Sequence, residues 1–192
     1  MKKPENGIVI GTVIDLNDPE KLGRVKLKLP QYDDQISNWA RIASPMAGSK
    51  RGFFFRPESG DEVLVGFENG EVRRPYVLGA LWSKVDSPPR HDNDETKNNW
   101  RIIVSRSGHM LKFDDTDGSE RIEIIDKSNS LKITFDSASS KVQIESSGDV
   151  EVSAPKGAFK VSAQSVDIEA SGGMKLQASG TMTVQGSPVN IN

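Results

Sequence analysis

The amino-acid sequence predicts an all-β protein in two parts, a small closed barrel followed by a run of short, repeated strands. Three observations carry this. No stretch of the 192 residues sustains a helical period of apolar side chains. Residues 1–82 hold short runs rich in Val, Ile and Leu, divided by Gly, Pro, Asn and Asp. Residues 100–192 repeat one motif, a pair of apolar residues at i and i+2 with small or polar residues between pairs.

In the first part, strands are expected over residues 8–15, 24–29, 39–43, 62–68 and 75–82. Asn17-Asp18-Pro19-Glu20 and Glu68-Asn69-Gly70-Glu71 carry turn chemistry. Five short strands within about 80 residues suit a Greek-key barrel of the OB type. Residues 83–99 read as a linker, because Pro88-Pro89 interrupts regular structure and residues 92–99 are wholly polar.

The pairs of the second part are Ile122/Ile124, Leu131/Ile133, Val142/Ile144, Val150/Val152, Phe159/Val161, Val166/Ile168, Met174/Leu176, Met182/Val184 and Val189/Ile191. Spacing of two puts both members on one face of a strand. Successive pairs start 7 to 11 residues apart, settling near eight over the last 50 residues. One short strand per repeat, with two inward side chains, cannot enclose a dry core alone. Three chains that each supply a face can do so, and they also cover most open strand edges. A trimeric, intertwined, triple-stranded β-helix is therefore expected over residues 100–192, a needle on the order of 40 Å long at the usual strand spacing. The expected axis residues are Ile122, Ile124, Leu131, Ile133, Val142, Ile144, Val150, Val152, Val161, Val166, Ile168, Met174, Leu176, Met182, Val184, Val189 and Ile191. A meander within one chain is the competing reading of the same pattern.

Composition narrows the function. The net charge of −2 provides no global field for nucleic acid or an anionic membrane. Absence of cysteine excludes disulfides, thiolate metal sites and thiol nucleophiles. No apolar run approaches the roughly 20 residues of a membrane span. The apolar run beginning at Ile8 is too short for a secretion signal, so assembly in the cytoplasm without a signal peptide is expected.

Chemistry-bearing motifs are sparse. His109 near Asp114 and Asp115 lacks a third orienting group, and the only other histidine is His91. Asp115-Thr116-Asp117-Gly118 begins like a calcium loop but lacks its remaining oxygen ligands. Ser153-Ala154-Pro155-Lys156 matches Ser-x-x-Lys without the companion motifs. No catalytic set, cofactor site or metal site is expected. Phe53-Phe54-Phe55 reads as a loop packed on the barrel or a protein-contact surface. The rival function is single-stranded nucleic-acid binding by the OB barrel, with the repeats as an oligomerisation tail. Against it, residues 1–82 carry 12 Lys and Arg and 11 Asp and Glu.

Several stretches resemble the phage baseplate assembly protein V and VgrG-like spike family. They are Gly11-Thr12-Val13-Ile14-Asp15, then Asp18-Pro19-Glu20-Lys21-Leu22-Gly23-Arg24-Val25-Lys26-Leu27, and Trp39 to Gly48. Gly52 to Phe67 is similar to the family's central motif, Arg74 to Trp82 to its closing strand, and Ser105 to Thr116 to its junction with the β-helix. The resemblance implies a non-enzymatic homotrimeric spike of a contractile phage-tail-like baseplate. Its OB domain would dock on a baseplate hub protein and its needle would pierce the target cell envelope. It implies residence in the baseplate of a phage virion or phage-tail-like particle. The hub region of full VgrG proteins, a lysozyme insert and a His-x-His tip are all absent from these residues. Residues 176–192 carry no charge, so a PAAR-like tip protein contacting Val189 and Ile191 is expected.

Overall fold

The computed structural model describes residues 7–89 and 96–190. It forms two units, Met1–Ser147 and Gly148–Asn192.

The first unit begins with the barrel. Its strands are β1 (Val9–Asp15), β2 (Lys26–Leu29), β3 (Gln35–Ile36), β4 (Arg41–Ile42), β7 (Glu62–Phe67) and β8 (Pro75–Ala80), in the order β3-β2-β1-β7-β8-β4. β5 (Ala47–Gly48) and β6 (Arg51–Gly52) make a separate hairpin. β4 lies parallel to β8. The ring closes where Val25 and Ala40 exchange backbone hydrogen bonds of 3.0 and 2.7 Å. Register shifts in β1 between Val13 and Asp15, and in β7 between Leu64 and Val65, bend the strands enough for closure.

Alternation explains the core. Val9 and Val13, then Val25, Leu27 and Leu29, then Val63 and Val65, each follow the two-residue period and are buried together with Ala40 and Val77. Gly11 occupies the remaining inward position of β1. A Cβ there would stand 3.1 Å from Val65 Cγ2 and 3.2 Å from Leu29 Cδ2, so the missing side chain lets these two pack. The predicted turn at Glu68–Gly70 is a short 3-10 turn with Asn69 in the left-handed region. No α-helix occurs among the described residues.

The same unit continues as a five-stranded antiparallel meander of β9 (Trp100–Val104), β10 (Met110–Asp114), β11 (Arg121–Ile125), β12 (Leu131–Asp136) and β13 (Lys141–Ser146). Each of the four reversals contains one residue with positive φ: Gly108, Gly118, Asn129 and Ser140. The β11–β12 turn is further held by Asp126, whose carboxylate accepts from the Ser128 hydroxyl and from the amides of Ser128, Ser130 and Leu131. Through Ser146 the strands thus pair within the chain, whereas the sequence reading expects pairing between chains from residue 100. The reason is local: strands of five or six residues, repeating every ten or eleven, leave room for a reversal.

The second unit is different. All its described residues are exposed, and no strand is assigned among them. After Ser140 no described residue has positive φ. The Ser-x-x-Lys motif forms a turn, with Gly157 donating to the Ala154 carbonyl at 3.1 Å. His91 and Ile191 lie outside the described residues.

Candidate functional site

The meander presents its apolar side to solvent and shelters its charged side. Register sets Ile103 opposite Leu111, Leu111 opposite Ile124, Ile124 opposite Ile133 and Ile133 opposite Ile144. This makes one aliphatic row across all five strands. A second row runs Phe113, Ile122, Phe135, Val142. Every member of the two rows except Leu111 and Ile133 is exposed. A continuous apolar surface of this kind marks a site of association.

On the opposite face Lys112 stands across from Glu123, and Asp114 across from Arg121. Lys112, Asp114 and Glu123 are almost fully buried. The Lys112 ammonium pairs with Glu123 and lies 3.4 Å from Asp114 Oδ2 and 4.5 Å from the centre of the Trp100 ring. Arg121 reaches Asp114 at 3.2 Å and Glu123 at 3.4 Å, and Lys132 also meets Glu123. Desolvation pushes both carboxyls upward. For Asp114, the hydroxyl and amide of Thr116 with the Lys112 charge outweigh it; for Glu123, the Lys112 and Lys132 ammoniums do. Both groups therefore end below the ordinary carboxylate range, so the buried charges are compensated within the chain.

Among the expected axis residues, Ile122, Ile124, Leu131, Ile133, Val142 and Ile144 share the exposed face of the meander. Val150, Val152, Val161, Val166, Ile168, Met174, Leu176, Met182, Val184 and Val189 lie exposed in the second unit. Apart from half-buried Ile133, they are 38% to 72% exposed. Sequence reasoning missed Ile103, Leu111, Phe113 and Phe135 on that face. Leu111/Phe113 has the same two-residue spacing, and Phe135 follows Ile133 by two, so the signal was present. The Lys112–Glu123 pairing had no such signal, because it depends on strand register.

His109 has a structural contact: its Nδ1 accepts the Lys127 amide at 3.2 Å. The Asp115–Gly118 stretch is the β10–β11 reversal, where Ser119 donates to the Thr116 carbonyl. Among the described residues no group of three or more His, Asp and Glu side chains is arranged to hold a metal. No helix among them is long and apolar enough to cross a membrane.

In the barrel, the Asp18 turn leads the chain into β2. The Asp18 carboxylate accepts from the amides of Glu20, Leu22 and Arg24 and from the Arg24 guanidinium at 2.7 and 3.1 Å. The Arg24 contact, reinforced by those amides against desolvation, holds Asp18 well below the usual carboxylate range. Arg24 also binds Glu20 at 2.8 Å, Lys28 binds Asp34 at 3.0 Å, and Lys26 lies over the Trp39 ring.

Residues 9–82, the barrel together with its Asp18 turn and closing strand, match the family of the type VI secretion system/phage-baseplate injector OB domain. Over these residues the chain carries that OB domain, and beyond them it is similar to VgrG spike proteins. Its relatives include the actin cross-linking toxin VgrG1 of Vibrio cholerae, 32% identical over 136 residues. They also include the type VI secretion system spike proteins VgrG5 of Pseudomonas aeruginosa, 30% identical over 127 residues, and VgrG3 of Vibrio cholerae, 32% over 133. Each match covers 62% of this VgrG-like chain but only 12% to 16% of the relative.

Proposed function

We propose that this VgrG-like chain is the central spike of a contractile phage-tail-like baseplate, acting as a homotrimer and without catalysis. The observation that carries the reading is the injector OB domain over residues 9–82. The exposed apolar face of the meander supports the oligomer. So do the apolar pairs of the second unit, whose eight-residue spacing leaves little chain for a reversal after each strand. Burial of these side chains between three copies supplies a core that one copy lacks, and interchain strand pairing supplies rigidity.

In this reading the OB domain docks on a baseplate hub protein. Residues 100–192 form the piercing element directed at the target cell envelope. The uncharged stretch from Leu176 onward, Val189 and Ile191 included, meets a PAAR-like tip protein. The particle is a phage tail or a phage-tail-like apparatus assembled in the bacterial cytoplasm. The rival nucleic-acid reading is disfavoured, because Arg24, Lys26 and Lys28 are engaged by Asp18, Trp39 and Asp34 rather than lining an open cationic groove.

Light scattering on the purified chain tests the oligomer. Three times the protomer mass of 21.0 kDa is expected, and a monomer at micromolar concentration refutes the reading. Immunogold labelling of purified particles tests location, with label expected at the baseplate.

A further inference from the structure

The barrel carries an exposed aromatic surface of its own. The β5–β6 hairpin leads directly into Phe53, Phe54 and Phe55, which are 53%, 77% and 65% exposed. Three adjacent exposed aromatic side chains are costly in water unless a partner covers them.

The loop is nevertheless held in place. The Phe53 amide donates to the Met46 carbonyl at 3.0 Å, and the Ser44 hydroxyl lies 2.8 Å from the Phe53 carbonyl oxygen. Phe53 and Phe55 stack at 6.4 Å. The Phe54 ring covers Gly23, where a Cβ would stand 2.8 Å from its edge and where φ is +76°. Arg56 ties the far end to the Leu16 carbonyl at 3.1 Å. A pre-ordered aromatic surface loses little conformational entropy when it docks.

Charge selects the occupant. From Gln35 to Pro57 the chain carries Arg41, Lys50, Arg51 and Arg56 and no carboxylate. Lys50 and Arg51, at the tip of the hairpin, are exposed and form no ion pair among the described residues. An aromatic centre with a cationic border fits a protein cleft that is apolar within and acidic at its rim. Two copies meeting hairpin to hairpin would oppose like charges. A nucleobase would have to break into the existing Phe53–Phe55 stack.

We infer that the Phe53–Phe55 loop and the β5–β6 hairpin are the surface by which the barrel docks on the baseplate hub, and that the hub presents an apolar cleft bordered by carboxylates. This rests on the spike reading above.

The test uses assembled particles. With Phe54→p-benzoylphenylalanine, irradiation is expected to join this position to a hub segment in which Asp or Glu flanks apolar residues. The double variant Lys50→Glu, Arg51→Glu is expected to keep its circular dichroism and oligomeric mass while its occupancy in purified particles falls at least tenfold. Acid-to-lysine changes in the cross-linked hub segment should restore it. Wild-type occupancy by the folded double variant overturns the inference, as does a cross-link to a second copy of this chain. It is equally overturned if Phe54→Ser abolishes binding of labelled oligo-dT or of phosphatidylglycerol vesicles while occupancy is unchanged. Absence of the wild-type chain from particles overturns the spike reading and this inference together. Presence of the wild type with an indifferent double variant overturns this inference alone.

Discussion

Ile124 on β11 stands directly opposite Ile133 on β12, on the face of the sheet turned away from the Lys112–Glu123 pair. The consequence is a protomer whose sheet keeps its charges sheltered and its aliphatic row in water. Such a surface favours association, and in the proposed trimer a second and third copy of the same chain would cover it symmetrically.

The double variant Ile124→Asp, Ile133→Asp tests that cover. Ile124 is exposed in the protomer, so the barrel should fold with its circular dichroism unchanged. In an oligomer the new carboxylates would be buried without partners, at a cost of several kcal/mol per ion. Light scattering should show the mass falling toward the protomer.

Val166→Asp asks the same of the second unit, where Val166 is exposed in the single chain. Three like charges meeting in one layer should destabilise the trimer by several kcal/mol. The expected readout is a lower melting temperature with a concentration-dependent midpoint. An unchanged melt means that Val166 faces outward.

Acid should loosen the meander. The Asp114 and Glu123 carboxyls are lowered in the fold, from 3.8 and 4.5 respectively. Groups lowered by folding stabilise fully above their unfolded values, and that contribution is lost as pH falls through the folded ones. Stability should therefore be flat from neutral pH to about 5 and decline below about 4. Glu123→Gln should flatten this acid limb in a series of thermal melts, whereas Glu145→Gln, at an exposed site, should leave it intact.

The Asp18 turn predicts a local effect in the barrel. Asp18→Ala strips the acceptor from three amides and from the Arg24 guanidinium. Unpaired donors in a sheltered turn are costly. The melting temperature should fall by several degrees, and amide hydrogen exchange should rise at Leu22 and Arg24 before it rises at Leu27.

Cavity formation in the core gives a contrasting magnitude. Leu27 is fully buried on β2, and Leu27→Ala should destabilise the barrel by about 2–5 kcal/mol. Chemical denaturation followed by Trp39 fluorescence measures it.

Much of this was legible in the sequence because alternation is a local property. Val25, Leu27 and Leu29 must share a face of β2 whatever surrounds them, and Asn69-Gly70 favours a turn in any context. The family motifs at Asp18–Arg24 and Gly52–Phe67 are equally local. The axis candidates were found by the same two-residue rule, although it passed over Leu111/Phe113 and Phe135.

The sequence by itself determined an all-β chain, a barrel in its first 82 residues and the apolar face of β11, β12 and β13. Only the tertiary structure decided which strands pair. Between residues 100 and 146 the chain folds back on itself, since Gly108, Gly118, Asn129 and Ser140 adopt left-handed backbone at the reversals. It also decided that Lys112 meets Glu123, because a cross-strand ion pair is a matter of register between residues eleven apart in the chain. Alternation says which residues share a face; only pairing says which residues meet across it.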